Sequence, residues 1–401
     1  MPETYDAIVV GARCAGAPTA MLLAQRGYQV LLVDKSTFPS DTVSTHMIHA
    51  PGVAALARWG LLDQVIATGC PAIDSYTFDF GPLVLRGTPL PVDGASTAYC
   101  PRRTVLDAIL VDAARDAGVE VREGFAVDEI VMDGSTVTGI RGHGRDGVAV
   151  TERARVVIGA DGRTSKVARA VDAPEYNAKP ALQHSFYTYF RDLPVDGMEV
   201  VIRPDRGWGA MPTNDGLTLV VVGWPTAEAA AYKADPEANF LRTLDLAPAF
   251  AERVRAAERV ERLTAGMVPN FFRTSHGPGW ALVGDAGYTK DPITAQGMSD
   301  AFYDAERCAA ALDAALSGAQ SYDAAMTQRQ EARDRHAMPI YEFTTQLATL
   351  EPPPPELQQL LGGLAGNQRG VDEFVSLTAG TLSPAVFFDP AHIGELLGAG
   401  V

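Results

Sequence analysis

The segment VVGARCAGAPTA at residues 9–20 constrains the chain more than any other, because of what stands on either side of it. Residues 6–10 form an apolar run that reads as a buried strand. Residues 11–16 read as a turn, 17–26 as a helix that stops at Gly27, and 29–33 as a second strand. This is a β-α-β unit of about 30 residues. Gly11 makes the turn out of the strand and Gly16 lets the helix pack closely, so the backbone N–H groups at the helix N-terminus face a pyrophosphate. Arg13 departs from the usual glycine spacing by placing a side chain at the middle position. Its guanidinium can point outward and pair with a phosphate or another acceptor. The loop alone also fits a plain strand-turn-helix. Asp34 changes the balance: an acidic residue ending the second strand, about 20 residues after the glycines, is where a ribose 2′-OH is held, and the pair favours dinucleotide binding.

With 401 residues the chain exceeds the size at which one core usually splits, so two domains, or one large domain with an insertion, are expected. Hydrophobic residues at 47% and charged residues at 20% are those of a folded globular protein. The 33 Lys and Arg against 49 Asp and Glu, net −16, oppose the surface that nucleic acid or an anionic membrane requires and favour a small-molecule partner. No apolar stretch approaches the ~20 residues of a spanning helix, and the start carries acidic residues without a cleavage pattern, so a cytoplasmic protein is expected. Cys14, Cys70, Cys100 and Cys308 are dispersed without a C-x-x-C pair, which suggests reduced packing residues rather than disulfides or a zinc site.

Further along, residues 52–65 are helical, 75–99 alternate as β, and 103–118 (RTVLDAILVDAARDAG) form a helix. Three strand patterns at 119–134, 136–142 and 148–162 read as a β-meander returning to the first sheet. From about 178 to 273 the strands lengthen (QHSFYTYFRDL, MEVVIR, LTLVVVGW), with one helical interruption near 239–257, as in an antiparallel sheet packed as its own layer. One more buried strand follows at 280–285 and a long helix at 296–317. The tail beyond Pro339 is helical, broken by EPPPPE at 351–356, an extended connector because prolines donate no backbone hydrogen bond.

Two further strand ends carry Asp161-Gly162, in VVIGADGRTSKVAR, and Gly284-Asp285, in WALVGDAGYTKDPITAQGMSDAF. With these three motifs in order, residues 5–335 resemble the flavoprotein monooxygenase superfamily of p-hydroxybenzoate hydroxylase-like hydroxylases, flavin-dependent halogenases and geranylgeranyl reductases. The resemblance implies an α/β fold: a discontinuous Rossmann-like FAD-binding domain of the GR2 type (1–75, 98–177, 276–335), an inserted antiparallel β-sheet substrate domain (76–97, 178–275) and a helical C-terminal region (336–401). It implies that Gly11, Ala15, Gly16 and Asp34 hold the ADP half of FAD, with Arg13 and Lys35 in the cofactor-binding set, and that Asp285 bonds a ribityl hydroxyl. Arg103, in the R-x-x-L-D pattern, would reach the phosphates and ribityl chain, with Arg102 as an alternative. Val127 and Asp161 also join the cofactor set. The amides of Gly297 and Met298, at a positive helix end, would face the flavin pyrimidine and stabilise reduced-flavin charge at N1 and C2=O.

The activity implied is an NAD(P)H-dependent monooxygenase that uses molecular oxygen, through a flavin C4a-hydroperoxide, on a small apolar or aromatic molecule. The alternatives are a reductase of the geranylgeranyl reductase type and a non-catalytic flavin protein. No second glycine fingerprint for a nicotinamide appears, which fits the hydroxylase type. Thr45 stands six positions before Pro51, where aromatic hydroxylases usually carry arginine. Halogenases carry W-x-W-x-I-P; alignment on Pro212 puts Gly207 and Gly209 at the tryptophan positions, against a tryptophan-type halogenase. On the substrate side, one face of the 183–193 strand carries His184, Phe186, Thr188 and Phe190 and the other Ser185, Tyr187 and Tyr189, and a one-residue shift exchanges them. Tyr187, Trp208, Met211 and Pro292 are the pocket candidates, with RGWGAMP read as leading a turn toward the flavin. His46, His49 and His184 are candidate bases or polar contacts. No catalytic side chain and no metal site is forced by the sequence.

Overall fold

A computed structural model describes residues 4–398; the outermost residues of the expected first and last segments, 1–3 and 399–401, lie outside it. The main sheet has the order His276–Gly277, Trp280–Leu282, Ala149–Gly159, Thr4–Val10, Val30–Asp34, Glu120–Glu123. Its centre is parallel: Val9 pairs with Leu32 on one side and Ile158 on the other, and Val157 pairs with Trp280. Parallel strands must be buried on both faces, and both are covered. Ala7, Val9, Leu32 and Ile158 pack under the helices Gly16–Ala24, Arg103–Asp116 and Gly297–Leu316. Ile8, Val10, Leu31 and Val157 pack against Phe125 and against Ile130, Val137 and Ile140 of the meander Ala126–Asp133 and Thr136–His143. A strand that follows the second sheet in sequence thus sits inside the first.

The second sheet runs Glu258–Arg259, Gln183–Arg191, Leu217–Pro225, Arg206–Pro212, Met198–Arg203, Tyr76–Asp79, Val84–Gly87. It is antiparallel except where Met198–Arg203 meets Tyr76–Asp79 in parallel. RGWGAMP is therefore a central strand and not a turn, with the reversal placed before it at Asp205. The single expected helical interruption is three helices, Ala229–Ala234, Pro236–Leu244 and Pro248–Ala256, each of the last two begun by a proline at its first position.

Register assigns the two faces. Ile202, Gly207, Gly223 and Ser185 form one row, and Val200, Gly209, Val221 and Tyr187 the next. Val201, Trp208, Val222 and Phe186 form a row on the opposite face, buried against those helices. The C-terminal helices Pro355–Leu364, Gln368–Ala379 and Pro390–Leu396 close over the first face, joining Met198, Met211 and Tyr189 in one core. Among the described residues no helix is long and apolar enough to cross a membrane.

Candidate functional site

A cavity of about 870 Å³ opens where the carboxyl ends of Thr4–Val10, Val30–Asp34 and Ala149–Gly159 meet the second sheet, the crevice in which open α/β sheets hold ligands. Gly11, Arg13, Ala15, Asp34, Lys35, Arg103, Val127, Asp161, Asp285, Gly297 and Met298 all border it, as do Tyr187 and Pro292. Gly16 does not border it but shapes it: a Cβ there would stand 1.8 Å from the Gly11 carbonyl oxygen. Gly11 has φ +102°, and a Cβ on it would meet the Ala160 carbonyl oxygen at 2.4 Å. The loop leads into a helix whose N-cap, Ala15, supplies no side-chain acceptor; the Ala17 amide already donates to the Arg13 carbonyl and residue 18 is proline, so the amides left for an anion are those of Cys14, Ala15 and Gly16.

Arg13 turns away from that helix end. Its Nη1 donates to Asp107 Oδ2 at 2.5 Å and its Nη2 to Ser40 Oγ at 3.0 Å. Asp107 is fully buried and also accepts from Arg103 Nε and Nη2, at 3.1 and 2.8 Å. The Cys14 thiol, pushed up to about 12 by burial, lies 3.5 Å from Asp107 Oδ1. One carboxylate therefore ties the glycine loop to the Arg103–Asp116 helix. Asp107 is the closing residue of R-x-x-L-D, and that spacing was the signal for it. Arg102 is held elsewhere, 2.6 Å from Glu261 and over the Tyr189 ring.

Asp34 Oδ2 accepts from the Ala12 amide at 2.8 Å and Oδ1 from Ser36 at 2.7 Å. Asp161 Oδ2 accepts from the Lys166 amide at 2.6 Å, whereas its Oδ1 is buried without a partner among the described residues. Lys166 Nζ donates to the Val127 carbonyl. Asp285 presents its carboxylate to the interior of the cavity; enclosure by protein raises its pKa and Arg163 draws it back. The Gly284-Asp285 turn is held from behind, where the Gly284 amide donates to Asp304 Oδ2 at 3.0 Å and Arg329 pairs with Asp304 Oδ1 at 2.7 Å. No spacing in the sequence marks Asp304 or Arg329. Across the cavity Gly297 opens into free space at the start of Gly297–Leu316, whose N-cap Gln296 makes no side-chain cap.

Asp291 lies one residue before Pro292. Burial pushes its carboxyl up to about 7, against hydrogen bonds from Gln183 and the Ile293 amide. Its Oδ2 is buried without a partner among the described residues. Burial lowers all three candidate histidines. His49 donates from Nε2 to the Thr294 carbonyl at 3.0 Å and accepts at Nδ1 from Tyr76, and burial lowers it to about 4. His46 bonds Tyr189 and is lowered by burial to about 3. Neither carries charge near neutrality. Burial lowers His184 as well, beside Lys233.

A second cavity, about 900 Å³, adjoins the first at Thr45, Ser185, Val221, Pro292 and Ala295. It lies between the second sheet and the C-terminal helices, bordered by Phe78, Phe80, Phe374, Met211 and the prolines 352–354. Trp208 borders it too, but strand alternation puts its indole on the far face, packed against Phe250. That corrects the expectation for its ring.

The family described as FAD binding domain matches residues 4–344. The chain belongs to this family. Among relatives of this FAD-binding protein, the digeranylgeranylglycerophospholipid reductase of Methanocella arvoryzae is 27% identical over 425 residues, covering 99% of this chain and 100% of the reductase. The 6-methylpretetramide 4-monooxygenase of Streptomyces rimosus is 26% identical over 317 residues, covering 75% of this chain and 73% of that enzyme. The solved structure of the myxobacterial chondrochloren halogenase superposes with a TM-score of 0.80 at 25% identity, covering 99% of this chain and 97% of that one. The FAD-binding protein is an oxidoreductase of this flavin-dependent group.

Proposed function

We propose that this protein is an FAD-dependent monooxygenase, reduced by NAD(P)H, that oxygenates a small, largely apolar or aromatic molecule. The observation that carries this reading is the junction of a cofactor-shaped crevice with an apolar cavity of comparable size, sharing Thr45, Ser185 and Pro292. The groups present fit FAD: the Cys14, Ala15 and Gly16 amides for the pyrophosphate, Asp34 for the ribose, the Asp285 carboxylate for a hydroxyl, and the Gly297 and Met298 amides at a second positive helix end. When bound, the flavin supplies the redox chemistry with oxygen.

The protein's own residues bind, orient and exclude water. Asp107 fixes Arg103 in place at the cavity wall. The Gln183 amide, bonded to Asp291, stands where the two cavities meet, with Ser185 two residues away on the same strand. Phe78, Phe80 and Phe374 keep the far side dry. A protonated Asp291 can hold a proton at Oδ2, the oxygen without a partner.

The reductase reading is the second one, favoured by the end-to-end match to an enzyme that reduces prenyl chains. Stopped-flow reduction and reoxidation of the FAD-loaded protein with a substrate panel separates them. Oxygen uptake coupled to hydroxylated product supports the first; anaerobic saturation of a C=C bond supports the second and overturns the first.

A further inference from the structure

The floor of the second cavity carries glycine at 207, 209 and 223, on two neighbouring strands. Gly207 pairs directly with Gly223, and Gly209 lies two residues along on the same face. Glycine inside a strand costs about 0.5–1 kcal/mol relative to alanine and often marks a close approach by a ligand or another backbone. None of the three sits at a positive φ. Gly223 is explained within the protein, since a Cβ there would stand 2.1 Å from Gln183 Oε1. Gly207 and Gly209 are not: their nearest neighbours to a Cβ would be Leu350 Cδ2 at 3.5 Å and a set of atoms at 3.7 Å, ordinary contact distances. Neither conformation nor crowding requires glycine at these two positions.

We infer that the glycines at 207 and 209 hollow the sheet to seat a flat, uncharged, fused-ring aromatic substrate, lying across the strands with its polar edge toward the flavin. This rests on the oxygenase reading for its chemistry but not for its geometry. Exposed peptide planes beside Val200 and Val221 give a flat floor, and Phe374 gives an aromatic wall. The polar groups that would meet the substrate, Ser185 and Gln183, are at the flavin end. The guanidinium at the cavity, Arg206, is already paired with Glu228 at 2.7 and 3.1 Å and stacked 3.8 Å over Trp224, which rules against an anionic substrate. A phosphate or carboxylate would have to displace that pair.

The test is calorimetric titration of the FAD-loaded protein with quinizarin (a neutral fused-ring quinone), phenol and geranylgeraniol. Quinizarin is expected to bind at least roughly tenfold tighter than either of the others, and Gly209→Val to weaken it by roughly tenfold or more. The valine adds β-branched surface to a strand, so the Tm should not fall. Gly209→Ala, whose Cβ fits at contact distance, gives a milder loss with less added volume and keeps the test readable if the valine variant is unstable. Geranylgeraniol binding tightest, or quinizarin affinity unchanged in both variants, overturns the proposal. Quinizarin binding that depends on Gly209 in protein that takes up no flavin would sink the oxygenase reading and leave this one standing.

Discussion

Asp107 is a single buried carboxylate shared by Arg13, Arg103 and the Cys14 thiol. Removing one partner of a buried ionic group leaves the others uncompensated, so Asp107→Ala should lose about 3–5 kcal/mol in urea unfolding. Arg13→Gly, at a partly exposed partner, should lose only about 1 kcal/mol and keep most of its FAD affinity. The middle-position arginine was visible in the sequence, but its partner was not, because it lies 94 residues away. Asp291 gives a pH test. Its pKa is raised from 3.8 to about 7, so the folded state keeps a proton that the unfolded chain has released, and stability falls as pH rises through that window. His46 and His49, lowered from 6.5 to about 3 and about 4, act in the opposite sense: the unfolded chain takes up protons first as pH falls below 6.5. Asp291→Asn removes the opposing contribution, so stability should climb more steeply with pH between 4 and 6.5, by about one proton or ~1.4 kcal/mol per pH unit. Denaturant midpoints measured across that range check it; parallel slopes in the two proteins would refute the assignment.

At the scale of elements, the glycine loop is the tightest fit in the molecule. Gly16→Ala places a Cβ inside the Gly11 carbonyl, so the loop must open, with an expected loss of about 1–3 kcal/mol and a lower flavin content after purification. An alanine variant of normal colour and Tm would show that the close approach is not needed. The β-α-β unit could be read because its signals are local: an apolar run, two glycines, and Asp34 at the next strand end. The faces of Gln183–Arg191 could not, since period-2 alternation leaves two registers and only pairing with Leu217–Pro225 chooses. That pairing turned Tyr187 to the cavity and Phe186 to the helices. RGWGAMP, read from related folds as leading a turn toward the flavin, is instead a central strand, with its two glycines inside the sheet.

For the whole molecule, the sequence pointed to a first sheet completed from far along the chain, through the runs at 148–162 and 280–285, which the structure trims to Ala149–Gly159 and Trp280–Leu282. It did not show that the C-terminal helices wall a cavity, since their apolar faces carry no mark of what they cover. Leu360, Leu364 and Phe374 share one core with Met198 and Met211 of the second sheet, far earlier in the chain. The most direct measurement is equilibrium binding of FAD to the stripped full chain, alongside Asp285→Ala. A stoichiometric yellow complex, with FAD held roughly tenfold or more weakly by the variant, is the predicted result. A colourless chain that FAD cannot reconstitute, or a variant that binds FAD as tightly as the parent, would contradict the account.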